Sequence, residues 1–247
     1  MDNFGDALAA AFALIIGGDT ELIEIIGLSL KVSLVAVLIA AAVGLPFGAA
    51  LVLFRFPGRL TLVVLLNALM GLPPVVVGLI VYLLLSRAGP LGTLGLLFTP
   101  NAMIIAQAIL VTPIIAALTR QVIEDLWAEY EEQLRSLGAG PALALPTLLW
   151  DGRFSLITAV LAGFGRASAE VGAVMIVGGN IDHITRVMTT AIALEVSKGD
   201  LALALGLGMI LLTLSASINA AAFLIKEVAQ RHQGSGTILP HITKWKT

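Results

Sequence analysis

Apolar runs long enough to cross a lipid bilayer constrain this chain more than any other feature. A helix needs roughly 20 mostly apolar residues to span about 30 Å of hydrocarbon. Hydrophobic residues fill 58% of the 247 positions, which is more than soluble domains usually have. The five longest apolar runs are residues 25–54, 60–86, 101–123, 154–177 and 201–225. The sequence therefore predicts an all-α integral membrane protein with about five transmembrane helices in one domain, residues 25–228.

The two ends of the chain, residues 1–24 and 229–247, lie outside this predicted domain. The apolar stretch 4–16 is too short to span a bilayer and is bordered by acidic residues, so we expect a short external or interfacial helix there. The first 30 residues contain no Lys or Arg, and they therefore lack the basic start of a cleaved signal peptide. We assign no role to the polar tail 229–247.

The distribution of positive charge predicts the orientation in the membrane. Lys and Arg are retained in cytoplasmic loops. Nine of the 14 lie on one predicted side, four lie on the other, and Arg166 falls within a run. The side with nine carries the polar loop 124–153 and the C-terminus, so we expect both to be cytoplasmic. The N-terminus and the loops 87–100 and 178–200 are then external.

The polar loop 124–153 is the one long hydrophilic interruption of the predicted membrane domain. Its segment EYEEQLRSLGAGPALALPTLLWDGR predicts a helix that continues past Trp127 and ends at Gly138, because glycine adopts the left-handed conformation at helix ends. Pro141 suits the first turn of a second, shorter helix, and Pro146 limits its length. A helix, a bend and a short helix form a shape suited to docking a partner. The alternative to a docking role is that the loop is a solvent-exposed connector between two membrane helices.

This loop resembles the cytoplasmic signature loop of ABC importer permeases, in which Glu-Ala-Ala is followed three residues later by Gly and then by Ile-x-Leu-Pro. The matching residues are Glu131, Glu132, Gln133, Gly138, Ala139 and Leu148. Two alanines are replaced here by Glu132 and Gln133, and Trp150-Asp151 stands in place of Leu-Pro. The segments FPGR, GLPPVVVGL and GRASAEVGAVMIVGGNI resemble the molybdate and tungstate branch of the family, and the last is most similar to tungstate permeases.

The resemblance implies the type I ABC importer permease fold and a role in oxyanion import. Tungstate is the expected substrate, and molybdate or sulfate are the alternatives. It also implies a homodimer in a prokaryotic inner membrane, two cytoplasmic ATPase subunits docked on the coupling loop, and an external substrate-binding protein. The sequence has no G-x-x-x-x-G-K motif, so we expect neither ATPase activity nor a cofactor on this chain, with ATP and Mg bound by the partner. A net charge of −2 gives no reason to expect nucleic acid.

Two charged residues, Arg166 and Glu170, fall within the fourth apolar run. A charge near the membrane centre costs about 2.5–3.5 kcal/mol on insertion scales, so we expect both side chains to face protein or water. Their spacing of four places them on one helix face, where they can pair. We favour a structural or gating pair, with direct contact to the transported anion as the alternative. A proton-driven transporter acting through Glu170 is the alternative from another functional class.

Other interruptions of the apolar runs are candidate pathway or gate residues. Asn67, Pro73 and Pro74 interrupt the second run, and consecutive prolines leave backbone carbonyls without partners; a packing kink is the alternative to a gate. Asn180 follows two glycines at the end of the fourth run, where backbone N–H groups could meet an anion or form an ordinary turn. The chain has no Cys and three scattered His, so we predict no metal site.

Overall fold

The computed structural model describes residues 20–234, and its side chains from residue 20 to residue 228. Secondary structure in this part of the chain is helical, with no strand. The α-helices are α1 Thr20–Leu53, α2 Arg59–Met70, α3 Pro74–Leu85, α4 Pro100–Ser136, α5 Pro141–Asp151, α6 Arg153–Ser168, α7 Gly172–Gly178, α8 Met188–Lys198 and α9 Leu201–Gly234, and a short 3₁₀ helix covers Gly92–Leu94. The predicted helix at 4–16 lies outside the described residues.

Three of these helices are long and apolar enough to span a membrane alone: α1, α4 and α9. Two further pairs of helices are long and apolar enough when each pair is taken together, and each pair has a sharp bend between its members. The bend is 103° between α2 and α3 and 59° between α6 and α7. The predicted five spans are therefore present if each bent pair counts as one span, and the all-α fold class is confirmed.

The break between α2 and α3 follows from consecutive prolines. A residue that precedes proline is pushed out of the helical region, and Pro73 is extended, with φ −64° and ψ 121°. Pro74 then begins α3, where its missing N–H costs nothing. The predicted run 60–86 is thus two helices that change direction at residues 71–73.

The predicted external loop 178–200 contains a short helix that the sequence analysis did not predict. Helix α8 covers Met188–Lys198 and ends at Gly199, whose φ of 86° is left-handed. Eleven residues are too few for a transmembrane run, so a search for spans overlooks a helix of this length.

Helices α1 and α4 pack closely at the centre of the fold because small residues line their contact. A Cβ atom on Gly48 would lie 2.3 Å from the carbonyl oxygen of Ala116, and one on Gly44 would lie 3.1 Å from the side chain of Ile115. Inside a membrane, close backbone approach of this kind supplies the packing energy that water exclusion cannot. The two bent pairs also touch, since a Cβ on Gly78 of α3 would lie 2.7 Å from Cα of Ala173 in α7.

A matched pair of glycine substitutions tests the α1–α4 contact. We expect Gly48→Ala to lower the free energy of unfolding by about 1–3 kcal/mol, because the added methyl group forces two backbones apart. Gly27 lies in the same helix, and a Cβ atom added to it would have no neighbouring atom within 4 Å. Gly27→Ala should therefore stabilise the helix by about 0.5–1 kcal/mol. Thermal unfolding of both variants in detergent measures the difference. Equal shifts would contradict this account of the packing.

Candidate functional site

The segment between α4 and α6 forms a helix, a bend and a second short helix. Helix α4 runs on to Ser136, well beyond the predicted apolar run. Gly138 has a φ of 75°, and the Ala139 N–H donates to the Leu134 carbonyl at 2.9 Å, so the end of α4 is capped as glycine-terminated helices are. Pro141 begins α5. We call residues 124–153 the coupling segment.

The six signature residues of the coupling segment divide into exposed, half-buried and buried positions, with Glu131 and Ala139 half-buried. Glu131 pairs with Arg135 at 2.6 Å along the helix, and Glu132, Gln133 and Gly138 are exposed. Leu148 is fully buried with Ala144 against α1 and α4. Its side chain therefore fastens α5 to the membrane helices and does not face outward.

Two exposed side chains of α5 were not singled out from the sequence. Leu143 is 64% exposed and Trp150 is 71% exposed. They are seven residues apart and share the helix face opposite Ala144 and Leu148. The Arg153 guanidinium lies 4.8 Å from the Trp150 ring centre and fixes the indole. Residues 144 and 148 are four apart and therefore lie on one face of the helix. Because that face is buried, the opposite face is the outward one.

The break between α6 and α7 is held by side chains from other helices. The Gln107 amide of α4 donates from Nε2 to the Ala167 carbonyl at 3.1 Å. The Thr189 hydroxyl of α8 donates to the Glu170 carbonyl at 2.8 Å. Carbonyls released by a broken helix need such partners in a membrane. Side chains from two other helices, α4 and α8, therefore support the break.

The predicted ion pair lies at this break. Arg166 Nη1 and Glu170 Oε2 are 2.6 Å apart, with side chains 31% and 3% exposed. Arg166 is in the last turn of α6, while Glu170 follows the end of that helix. The other Glu170 oxygen accepts the Ala173 N–H at 2.9 Å, in the first turn of α7. One carboxylate thus joins the end of α6 to the start of α7.

Sequence similarity to curated proteins extends over almost the whole chain, although no family model matches. The chain is 42% identical over 227 residues to the tungstate uptake system permease protein TupB of Peptoclostridium acidaminophilum, which covers 92% of this chain and 100% of that protein. It is 36% identical to TupB of Campylobacter jejuni, covering 92% and 95%. It is 32% identical over 179 residues to the molybdenum transport system permease protein ModB of Escherichia coli K12, covering 66% and 75%.

The chain is an ABC transporter permease of the tungstate and molybdate type. The family predicted from the sequence is confirmed, because a relative more than 40% identical is matched over its full length. The permease is accordingly a membrane protein, and its apolar helices are membrane helices.

The remaining gate candidates of the permease lie on other elements. Asn67 is exposed on α2, Pro73 is exposed at the α2–α3 break, and Pro74 is half-buried. Asn180 has a φ of 49° and follows Gly179, which ends α7 with a φ of 73°. Of the six candidates, only Glu170 lines the cavity beside the break between α6 and α7. Their assignment to a pathway or gate stays a prediction.

Ion pairs fasten the loop before α8 to the start of α1. His183 Nδ1 lies 2.8 Å from a Glu24 carboxylate oxygen. Arg186 lies 3.2 Å from Glu21 and 2.8 Å from Asp182. The hydrogen bond to Glu24, helped by the charges of Asp182 and Glu24, raises the pKa of His183 above its usual 6.5. No sequence signal marks this contact, since its partners are 159 residues apart.

Removing the cation of the ion pair at the break tests what the pair does. We expect Arg166→Ala to lower the free energy of unfolding by about 1–3 kcal/mol, because it leaves the buried Glu170 carboxylate without its cation. The double variant Arg166→Ala/Glu170→Gln should regain part of that loss, since the amide oxygen can still accept from Ala173 N–H and no charge remains. Thermal unfolding and anion uptake measure both variants. If Arg166→Ala is present at the normal protein level and takes up the anion at the normal rate, Arg166 has neither a structural role nor a role in the pathway.

The contact between His183 and Glu24 should make stability depend on pH. A raised histidine pKa means that the folded protein binds the proton more tightly than the unfolded chain does. The stabilisation from His183 is then complete below pH 6.5, the ordinary histidine value, and is lost as the pH rises through the raised pKa. We expect the difference in melting temperature between the wild type and His183→Gln to be largest in mild acid and to shrink at alkaline pH. A difference independent of pH would show that the imidazolium does not hold the loop.

Proposed function

We propose that this permease is the translocation subunit of a tungstate importer. Its support is the order of the similarities: 42% and 36% identity to two tungstate permeases over 92% of the chain, against 32% to a molybdenum permease and 29% to a sulfate permease. Tungstate, molybdate and sulfate are tetrahedral dianions, so molybdate and sulfate remain the competing substrates. An external binding protein would deliver the anion to the permease.

We propose further that two copies of the chain pair in the membrane and form the pathway between them. The N-terminus is external and the C-terminus is cytoplasmic in this arrangement, as the positive charges of the loops favour. The coupling segment then lies at the cytoplasmic face, where a separate ATPase binds ATP and Mg. This chain itself carries out no hydrolysis.

The coupling segment has the geometry that a docking element needs. Leu143 and Trp150 offer an exposed apolar face, and exposed aromatic and aliphatic anchors of this kind are common at the centre of protein interfaces. On the opposite face, Leu148 packs with Ile123 of α4. A push on α5 is therefore delivered directly to a helix that continues into the membrane.

The experiment that tests this proposal is purification of the tagged permease with whatever it binds. Leu143→Asp places a charge on the outward face of α5 and should abolish recovery of the ATPase. Val196→Asp is the matched control, because Val196 is also an exposed apolar position on a helix, 52% exposed on α8, and on the external side in the proposed topology. The control should retain the ATPase.

Two results would overturn the proposal. Recovery of the ATPase with Leu143→Asp would remove α5 as the docking element. Isolation of the wild-type chain alone, together with uptake that a proton ionophore abolishes, would favour the gradient-driven transporter acting through Glu170. Uptake of labelled tungstate in competition with unlabelled tungstate, molybdate and sulfate tests the substrate. Suppression by molybdate or sulfate as strong as that by unlabelled tungstate would contradict the tungstate assignment.

A further inference from the structure

A small, partly open cavity lies beside the break between α6 and α7. It is bordered by α1, α4, α6, α8 and α9, and about 20 Å³ of it is open to the centre of a water molecule. Apolar side chains make up much of the lining, but each of the five helices and the break itself also contributes a polar side chain: Ser33, Gln107, Ser168, Glu170, Thr189 and Ser215. Polar side chains that converge from six places in the middle of a helical membrane protein need an explanation.

The amide of Gln107 is only half satisfied. Its side chain is 3% exposed, and its Nε2 group donates to the Ala167 carbonyl at 3.1 Å. This bond fixes the orientation of the amide, because a flipped amide would set two acceptor oxygens against each other. Oε1 is buried and has no hydrogen-bond partner within the described residues. A buried acceptor of this kind requires a donor.

The lining disfavours both an anion and a metal cation. The acceptor oxygens of Gln107 and of the Glu170 carboxylate repel an oxyanion. The Glu170 carboxylate already has a cation, because it accepts from Arg166 as well as from the Ala173 N–H. The described residues contain no cluster of three or more His, Asp or Glu that could hold a metal.

Water fits the cavity in volume and in chemistry. A bound water needs two to four polar partners and a space that holds one water-sized sphere, about 10–15 Å³. Here the region open to the centre of such a sphere is itself about 20 Å³, so there is room for a water. A water can donate to Gln107 Oε1 while it exchanges hydrogen bonds with a hydroxyl of Ser33, Ser168 or Ser215. We propose that this cavity binds one water molecule, anchored on Gln107 Oε1, that completes the hydrogen bonding of the break between α6 and α7.

The bound water gives Gln107 a second role. With Oε1 satisfied, the amide keeps Nε2 on the Ala167 carbonyl, so a polar contact adds to the apolar packing of α4 against the end of α6. Thr189 holds the other side of the break from α8. The water also connects the break to the hydroxyls of α1 and α9. Gln107 is therefore a positioning residue for the break, and the water is part of the support.

Radiolytic hydroxyl labelling of the full-length permease in lipid nanodiscs tests the proposal, because bound water is the local source of the hydroxyl radical. Met188 is buried and lines the cavity. Met103 is equally buried, packs in an apolar cluster and does not line the cavity, so it is the matched reference. We expect Met188 to be oxidised several-fold faster than Met103. Equal, slow oxidation of the two would show a dry cavity and overturn the proposal.

The variant Gln107→Met tests the anchor. The methionine side chain has about the length of glutamine but offers no amide, so oxidation of Met188 should fall to the rate of Met103. Unchanged oxidation of Met188 in a variant that elutes and unfolds as the wild type does would overturn the assignment of Gln107. If Gln107→Met fails to fold, the comparison of Met188 with Met103 in the wild type still decides whether water is present. Ser33→Ala, which removes one hydroxyl and little volume, then replaces Gln107→Met as the test variant. We expect Met188 to be oxidised more slowly in Ser33→Ala than in the wild type.

Discussion

Backbone groups inside a membrane have no water to bind, so each break in a helix needs partners from the protein itself. Two pairs of apolar helices in this permease are separated by bends of 103° and 59°, and its architecture depends on how those breaks are supported. At the second break the support comes from distant helices: Gln107 of α4 and Thr189 of α8 each take one carbonyl. The side chain of Glu170 supplies an acceptor to the start of α7. A break built in this way is stable and keeps a defined geometry.

The same constraint decides where packing is closest. Because lipid tails are as apolar as leucine, membrane helices gain association energy from contact and not from exclusion of water. Among the glycine positions, the tightest approaches between helices are at Gly48 against Ala116 and at Gly78 against Ala173. The first joins the long helices α1 and α4, and the second joins the two bent pairs. The bent pairs thus pack directly against each other.

Much of the fold was predictable because it depends on local patterns. Apolar length predicted the spans, Gly138 and Pro141 predicted the bend and the short helix, and the spacing of Arg166 and Glu170 predicted their pairing. What could not be predicted depends on contacts distant in sequence. Gln107 meets Ala167 across 60 residues, and His183 meets Glu24 across 159. The outward face of α5 was predictable in part. The spacing of Ala144 and Leu148 indicates which face of the helix is buried, and hence which face is exposed. The signature pattern, however, directed attention to Leu148, which is buried.

Helix α4 connects the two parts of the permease that the geometry singles out. It carries Gln107 at the break and Ile123 against the coupling segment, and 16 residues of continuous helix between them correspond to about 24 Å. Pro113 lies inside α4 without ending it. The middle of the helix is fixed to α1 through Gly48 and Ala116. Helix α1 packs against α4 along the whole stretch between Gln107 and Ile123. The break and the coupling segment are therefore joined by one continuous helix that α1 supports throughout.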